Sequence, residues 1–151
     1  MRILVLNGPN LSTVGSRQPE IYGSVTLAEI RDRLLEQAAA LHAEVRWEQS
    51  NHEGALIDVI EEENGRSDAC VINPGALAHT SLALADALRG FTGPVVEVHL
   101  SNIFAREEYR RRSHVAEAAT AVITGAGARG YGLALETAVH LAGGNTTETT
   151  G

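Results

Sequence analysis

The chain of 151 residues is predicted to be an α/β protein with a flavodoxin-like fold: a five-stranded parallel sheet, order 2-1-3-4-5, with helices on both faces. Three observations lead there. Five short strand-like runs alternate with segments of helical period. No two-residue hairpin turn joins neighbouring runs, so the connections read as crossovers. The first and third runs are apolar nearly throughout, as strands covered on both faces are.

Residues 2–7 (RILVLN) form the first strand. Thr26 with Glu29 makes a capping box, and Leu27, Ile30, Leu34, Ala38 and Leu41 fall on one face of the helix that follows. Residues 44–49 (EVRWEQ) read as the second strand. Ser50 with Glu53 gives another capping box, leading into Leu56, Ile57 and Ile60, and Asn64-Gly65 ends that helix. Residues 69–73 (ACVIN) are the third strand, and Thr80 is placed to cap a helix from Ser81 to Leu88 that Gly90 stops. Residues 95–100 (VVEVHL) form the fourth strand, and 105–112 (AREEYRRR) one or two helical turns. Residues 121–124 (AVIT) are the fifth strand, followed by a glycine-rich turn over 125–132 and a closing helix over 133–142. Residues 1–142 are thus expected to make one domain, and the polar tail 143–151 to be disordered.

Composition narrows the chemistry. A net charge of −7 and a pI of about 5.3 leave no global basic field for nucleic acid. All 12 basic residues are arginines, which excludes a lysine Schiff base, a lysine-bound pyridoxal cofactor and a P-loop lysine. Cys70 is the single cysteine, so no intrachain disulfide forms. With neither a signal-peptide pattern nor a membrane-length apolar run, a cytoplasmic location is expected.

Ligands of open α/β sheets bind beyond the carboxyl ends of the strands. There the sequence places Asn7-Gly8-Pro9-Asn10, Ser50-Asn51-His52-Glu53, Asn73-Pro74-Gly75 with His79-Thr80-Ser81, and Glu97 with His99 before Ser101-Asn102. Taken singly, each has a structural explanation: a turn, a helix cap, or a packed Glu97–His99 pair. Arg110-Arg111-Arg112 reads as a solvated face or as one arginine turned inward, whereas His42 and His140 lie away from the rim and read as structural or solvated. The histidines and Cys70 lack metal-ligand spacing, so no metal is expected. The late Gly125-Ala126-Gly127-Ala128-Arg129-Gly130 follows the last strand, where a dinucleotide fingerprint has no βαβ context. The long polar stretch from Gly8 to Ser24 is the most informative loop. Gly15 and Gly23 bracket Arg17 and Tyr22 in what reads as a lid, and a guanidinium beside a phenol favours its charged form, which makes a general base.

Four blocks, in order, resemble the type II 3-dehydroquinate dehydratases: Leu6-Asn7-Gly8-Pro9-Asn10-Leu11 with Arg17 and Tyr22-Gly23; Gln49-Ser50-Asn51-His52-Glu53-Gly54; Ile72-Asn73-Pro74 through His79-Thr80-Ser81; and Glu97-Val98-His99-Leu100-Ser101-Asn102 with Arg106-Glu107-Glu108 and Arg110. The resemblance implies a cofactor-free lyase of the shikimate pathway that dehydrates 3-dehydroquinate to 3-dehydroshikimate, and a homododecamer built from trimers. It further implies Tyr22 as the base, held as phenolate by Arg17; Asn10 positioning a water at the enolate; and His99, oriented by Glu97, as the acid. Asn73, His79, Arg110 and the backbone at Leu100 and Ser101 would hold the anionic substrate, and Asp86 would reach the site from a neighbouring subunit. The chain departs from the family's usual residues at Ser12-Thr13-Val14, at Gln18 and at Arg111, Arg112 and His114, none of them a proposed acid or base. Those departures keep open a relative that dehydrates an amino analogue. A non-catalytic flavodoxin-like module, for example one binding flavin, is the alternative from another class.

Overall fold

The computed structural model describes residues 1–144. Strands β1 (Arg2–Asn7), β2 (Glu44–Gln49), β3 (Ala69–Asn73), β4 (Val95–His99) and β5 (Ala121–Thr124) make one parallel sheet in the order β2-β1-β3-β4-β5, as the sequence predicts. Helices α1 (Pro19–Tyr22), α2 (Leu27–Ala40), α3 (Glu53–Glu63), α4 (Leu82–Arg89), α5 (His114–Ala118) and α6 (Arg129–Gly144) join them. Among the described residues, no helix is long and apolar enough to cross a membrane.

Successive side chains on a strand point to opposite faces, and this sheet is buried on both. Ile3 and Val5 of β1, Val71 of β3, and Val96 and Val98 of β4 pack with Ile30, Leu34 and Ala38 of α2 and with Ala134, Leu135 and Ala138 of α6. The alternate residues Leu4, Leu6, Cys70, Ile72 and Val95 pack on Leu56 and Ile60 of α3, Leu84 and Leu88 of α4, and Val115 of α5. Each buried leucine or isoleucine contributes about 1.5–3 kcal/mol through the water it sheds. The same alternation runs to the strand ends: Asn7 and Asn73 face α6, whereas Glu97 and His99 face α5.

Local signals shift at several boundaries. Thr26 caps α2 as expected, its side chain accepting from the Glu29 amide at 3.2 Å. The cap of α3 is His52 rather than Ser50; the Ser50 hydroxyl is taken two residues on, accepting from the His52 amide at 3.0 Å. The cap of α4 is Ser81 rather than Thr80, because a 3₁₀ turn over Gly75–His79 carries the chain one residue further before Ser81 accepts from the Leu84 amide. The polar stretch after β1 contains a 3₁₀ turn at Leu11–Thr13 and the single turn α1. The segment after β4 makes 3₁₀ turns at Ile103–Ala105 and Glu108–Arg110 and then α5, an element not expected from the sequence. Helix α6 starts four residues before the expected helix, at Arg129. Gly127, at φ 62°, makes the turn, while Gly130 lies within the helix because a Cβ there would press on Val98 at 3.2 Å. That helix also continues through Gly143 and Gly144, so the expected disordered tail does not begin at 143; its remainder, 145–151, lies outside the described residues.

At the opposite end of the sheet, Glu63 at the close of α3 is buried against charge. Arg2 grips its carboxylate with Nε at 3.0 Å and Nη2 at 3.1 Å, Arg46 Nη1 lies at 2.7 Å, and the Ser67 hydroxyl donates at 2.5 Å. The Arg2 hydrogen bond, helped by Ser67 and Arg46 and opposed by burial, lowers the Glu63 pKa to about 2. The folded state therefore binds this proton more weakly than the unfolded chain, so its stabilisation is present above the ordinary carboxylate range and is lost as pH falls towards 2. Replacing Glu63 with Gln is expected to lower stability at pH 7 by about 1.5–3 kcal/mol, the scale of a hydrogen bond to a charged group. Urea unfolding should also show a flatter loss of stability between pH 4.5 and 2 than in the parent, since glutamine has no proton to take up over that range.

Candidate active site

The carboxyl ends of β1, β3 and β4 surround a cavity of about 110 Å³. Its floor is built from backbone pairing: the Gly8 amide donates to the Asn73 carbonyl at 2.8 Å, tying the end of β1 to the end of β3. Asn10 then turns left-handed at φ 67°, with its amide donated to the Asn51 side chain at 3.0 Å, and it lines the cavity. Asn51 thus serves from the end of β2 by holding Asn10, but neither it nor Ser50, His52 or Glu53 lines the cavity. The lid brings Arg17 and Tyr22; β3 and the turn after it bring Asn73 and His79; β4 and its exit bring His99, Leu100 and Ser101. Arg110 comes from the second 3₁₀ turn, where its Nε lies 3.0 Å from Glu107. A larger cavity of about 590 Å³ opens alongside and shares Tyr22, Leu100, Ser101 and Arg106 with the first.

The phenol of Tyr22 meets two guanidiniums, and not in the expected way. Arg106 Nη1 donates to the Tyr22 hydroxyl oxygen at 2.9 Å, while Arg17 lies over the ring face with Cζ 5.0 Å from the centroid. Arg106 also stands 5.3 Å from that centroid. The hydrogen bond comes from Arg106, which the sequence marks as part of a motif without giving it a role.

The imidazole wall is ordered from behind. His99 Nε2 lies 2.7 Å from Glu97 Oε1, and Glu97 is fully buried. The Ser113 hydroxyl reaches the same carboxylate oxygen at 2.6 Å. His79 stacks on His99, with centroids 6.3 Å apart and planes at 20°. Its Nδ1 lies 2.7 Å from the Arg112 carbonyl, which only accepts, so that nitrogen carries the hydrogen and Nε2 is left as an acceptor. Burial lowers the His79 pKa, outweighing the Arg112 carbonyl that raises it, and so favours the neutral ring. The segment over 111–114 reaches the site through the Arg112 carbonyl and Ser113, while the Arg112 side chain pairs with Glu117 at 3.3 Å.

Asn73 is held from the other face of the sheet. Its Nδ2 donates to the Tyr131 hydroxyl at 2.9 Å, and that hydroxyl donates to Asn7 Oδ1 at 2.7 Å. Asn7 in turn donates to the Glu48 carbonyl, and the Gly75 amide donates to Asn73 Oδ1. Burial pushes the Tyr131 phenol well above its ordinary range, so it stays a donor. From sequence alone Tyr131 and Ser113 have no role; Ser113 carries a helix-cap signature, whereas nothing local marks Tyr131. Asp86 lies on the outer face of α4, its exposed side chain paired with Arg89 at 3.0 Å, and does not line the cavity of its own chain.

A phenol with a guanidinium on its oxygen and an imidazole with a carboxylate behind it therefore share one cavity with Arg17 and Arg110. Such an arrangement can take a proton from carbon, give one to oxygen, and bind an anion. Known proteins resemble this chain over most of its length. The family described as Dehydroquinase class II matches residues 1–139. A catabolic 3-dehydroquinase of Verticillium alfalfae is 53% identical over 139 residues, covering 92% of this chain and 93% of that protein. A 3-dehydroquinate dehydratase of Roseiflexus castenholzii is 54% identical, covering 90% of this chain and 87% of its own length. The crystal structure of the type II dehydroquinase from Propionibacterium acnes superposes with a TM-score of 0.88 at 42% identity, covering 91% of this chain and 95% of that one. On sequence and on fold, this chain belongs to the class II dehydroquinase family.

Proposed function

We propose that the protein dehydrates 3-dehydroquinate to 3-dehydroshikimate by an anti elimination through an enolate. The observation that carries this is the shared cavity of Tyr22, bonded to Arg106, and His99, bonded to Glu97. The names of its relatives support the substrate.

Tyr22 acts as the phenolate, its oxygen held by Arg106 and its ring covered by Arg17. It takes the proton from the carbon next to the ketone, and the C–H electron pair moves into the enolate, near which Asn10 positions a water. The enolate then collapses, the carbon–oxygen bond breaks, and the leaving hydroxyl takes a proton from His99 to depart as water. Because Glu97 occupies Nε2, that proton leaves from Nδ1. Tyr22 returns its proton to solvent and His99 regains one, so the step is redox-neutral and draws on side chains alone, without a cofactor. Asn73 and His79 hold substrate hydroxyls, while Arg110 and the backbone at Leu100 and Ser101 hold the carboxylate. Asp86, remote from its own cavity, serves the site of a neighbouring subunit in a dodecamer built from trimers, in the cytoplasm.

Supplied with 3-dehydroquinate, the purified protein should generate the absorbance of a conjugated enone, faster than it consumes an amino analogue of the substrate. No absorbance change from the authentic compound would remove the proposal. Tyr22→Phe and His99→Ala are each expected to cut kcat by about 10²–10⁴-fold, the usual weight of one acid or base, with the thermal midpoint held. Arg106→Ala should lower kcat/KM about 10- to 100-fold in steady-state assays, as loss of one charge-assisted hydrogen bond does.

A further inference from the structure

We infer that Ser113 is a positioning residue for the acid: its hydroxyl fixes the Glu97 carboxylate and, through it, the orientation and tautomer of His99. The inference rests on the reading of His99 as the group that protonates the leaving hydroxyl.

Ser113 is buried at the start of α5, where its oxygen caps the helix by accepting from the Ala116 amide at 3.0 Å. A backbone amide only donates, so the serine oxygen is committed as acceptor there and its one hydrogen is left for another partner. That partner is Glu97 Oε1 at 2.6 Å. His99 Nε2 reaches the same oxygen at 2.7 Å. The second carboxylate oxygen, Oε2, is buried and has no partner among the described residues. Both contacts that hold this carboxylate therefore converge on one atom, and Ser113 supplies the one that does not move with the imidazole.

The direction of the relay follows. The Ala116 amide donates to Ser113, Ser113 donates to Glu97, and a carboxylate already accepting from serine accepts again from His99, so Nε2 carries hydrogen. The other nitrogen, Nδ1, is left for the cavity. A helix amide that cannot reverse its polarity thus sets which nitrogen of His99 meets the substrate. The groups around the ring are Glu97 on β4, the stacked His79, and Arg110, which lines the same cavity. The residue before Ser113 performs the matching task for His79, whose Nδ1 is held by the Arg112 carbonyl. Two consecutive residues of one turn accordingly orient both imidazoles of the wall.

Three substitutions separate the helix cap from the positioning. Glycine caps a helix nearly as well as serine but has no hydroxyl; alanine lacks both; threonine keeps both. Ser113→Gly and Ser113→Ala are expected to lower kcat about 10- to 100-fold, the span of one hydrogen bond to a charged group, with KM within about twofold of the parent. Ser113→Thr should recover activity above the glycine variant. The thermal midpoint should fall for both and further for alanine, which loses the helix cap as well as the Glu97 hydrogen bond, and the glycine variant carries the test should the alanine variant fail to fold. Independently of turnover, ¹⁵N spectra should show a single Nε2–H tautomer of His99 in the parent and a mixture in Ser113→Gly. A glycine variant with parental kcat, or a threonine variant no better than glycine, would show that the hydroxyl only caps the helix. A parent inactive on 3-dehydroquinate refutes the dehydratase reading instead, and the tautomer measurement still decides the role of Ser113.

Discussion

The alternation of side chains along buried parallel strands is the constraint on which this site depends. Because β1, β3 and β4 are covered on both faces, a polar residue at a strand end must find its partner on the face that its position in the period assigns. Asn7 and Asn73 fall on the α6 face and meet there in the hydroxyl of Tyr131. Glu97 and His99 fall on the α5 face and meet Ser113. The cavity sits where these two polar layers come over the rim, so Asn73 and His99, which both line it, are anchored on opposite faces of the sheet.

Two tyrosines show how far surroundings decide chemistry. Tyr131 is buried among apolar side chains and neutral amides, which destabilise a phenolate and keep its hydroxyl a structural donor. Tyr22 sits on a one-turn helix beneath Arg17, with Arg106 on its oxygen. The donor at that oxygen is a cationic guanidinium, whereas the donor at Tyr131 is the neutral Asn73 amide. The same side chain is thereby a buried structural link in one place and a cavity-lining group held by a cation in the other.

The turn between Arg110 and Ser113 packs several functions into four residues. Arg110 lines the cavity, the Arg112 carbonyl holds His79, and Ser113 holds Glu97 while starting α5. Backbone and cap contacts of this kind tolerate changes in neighbouring side chains, because a carbonyl does not depend on residue type. The contact that Arg112 makes with His79 is therefore independent of its side chain, which pairs with Glu117 instead.

Much of this was legible in the sequence, and the reason is range. Strand positions, the parallel order and the carboxyl-end rim follow from apolar runs, helical periods and the absence of hairpin turns, all local signals. The motif residues that resembled a known family named most of the groups now found lining the cavity. The cap shifted by two residues at α3, where the turn before the helix claims the Ser50 hydroxyl, and by one at α4, where a 3₁₀ turn carries the chain past Thr80. What only the tertiary structure decided are pairings between distant segments. Arg106 meets Tyr22 across 84 residues, Tyr131 meets Asn7 across 124, and Ser113 meets Glu97 across a helix-cap geometry that no spacing encodes. Periodicity states which face a residue occupies; which partner waits on that face is settled by how the crossovers pack.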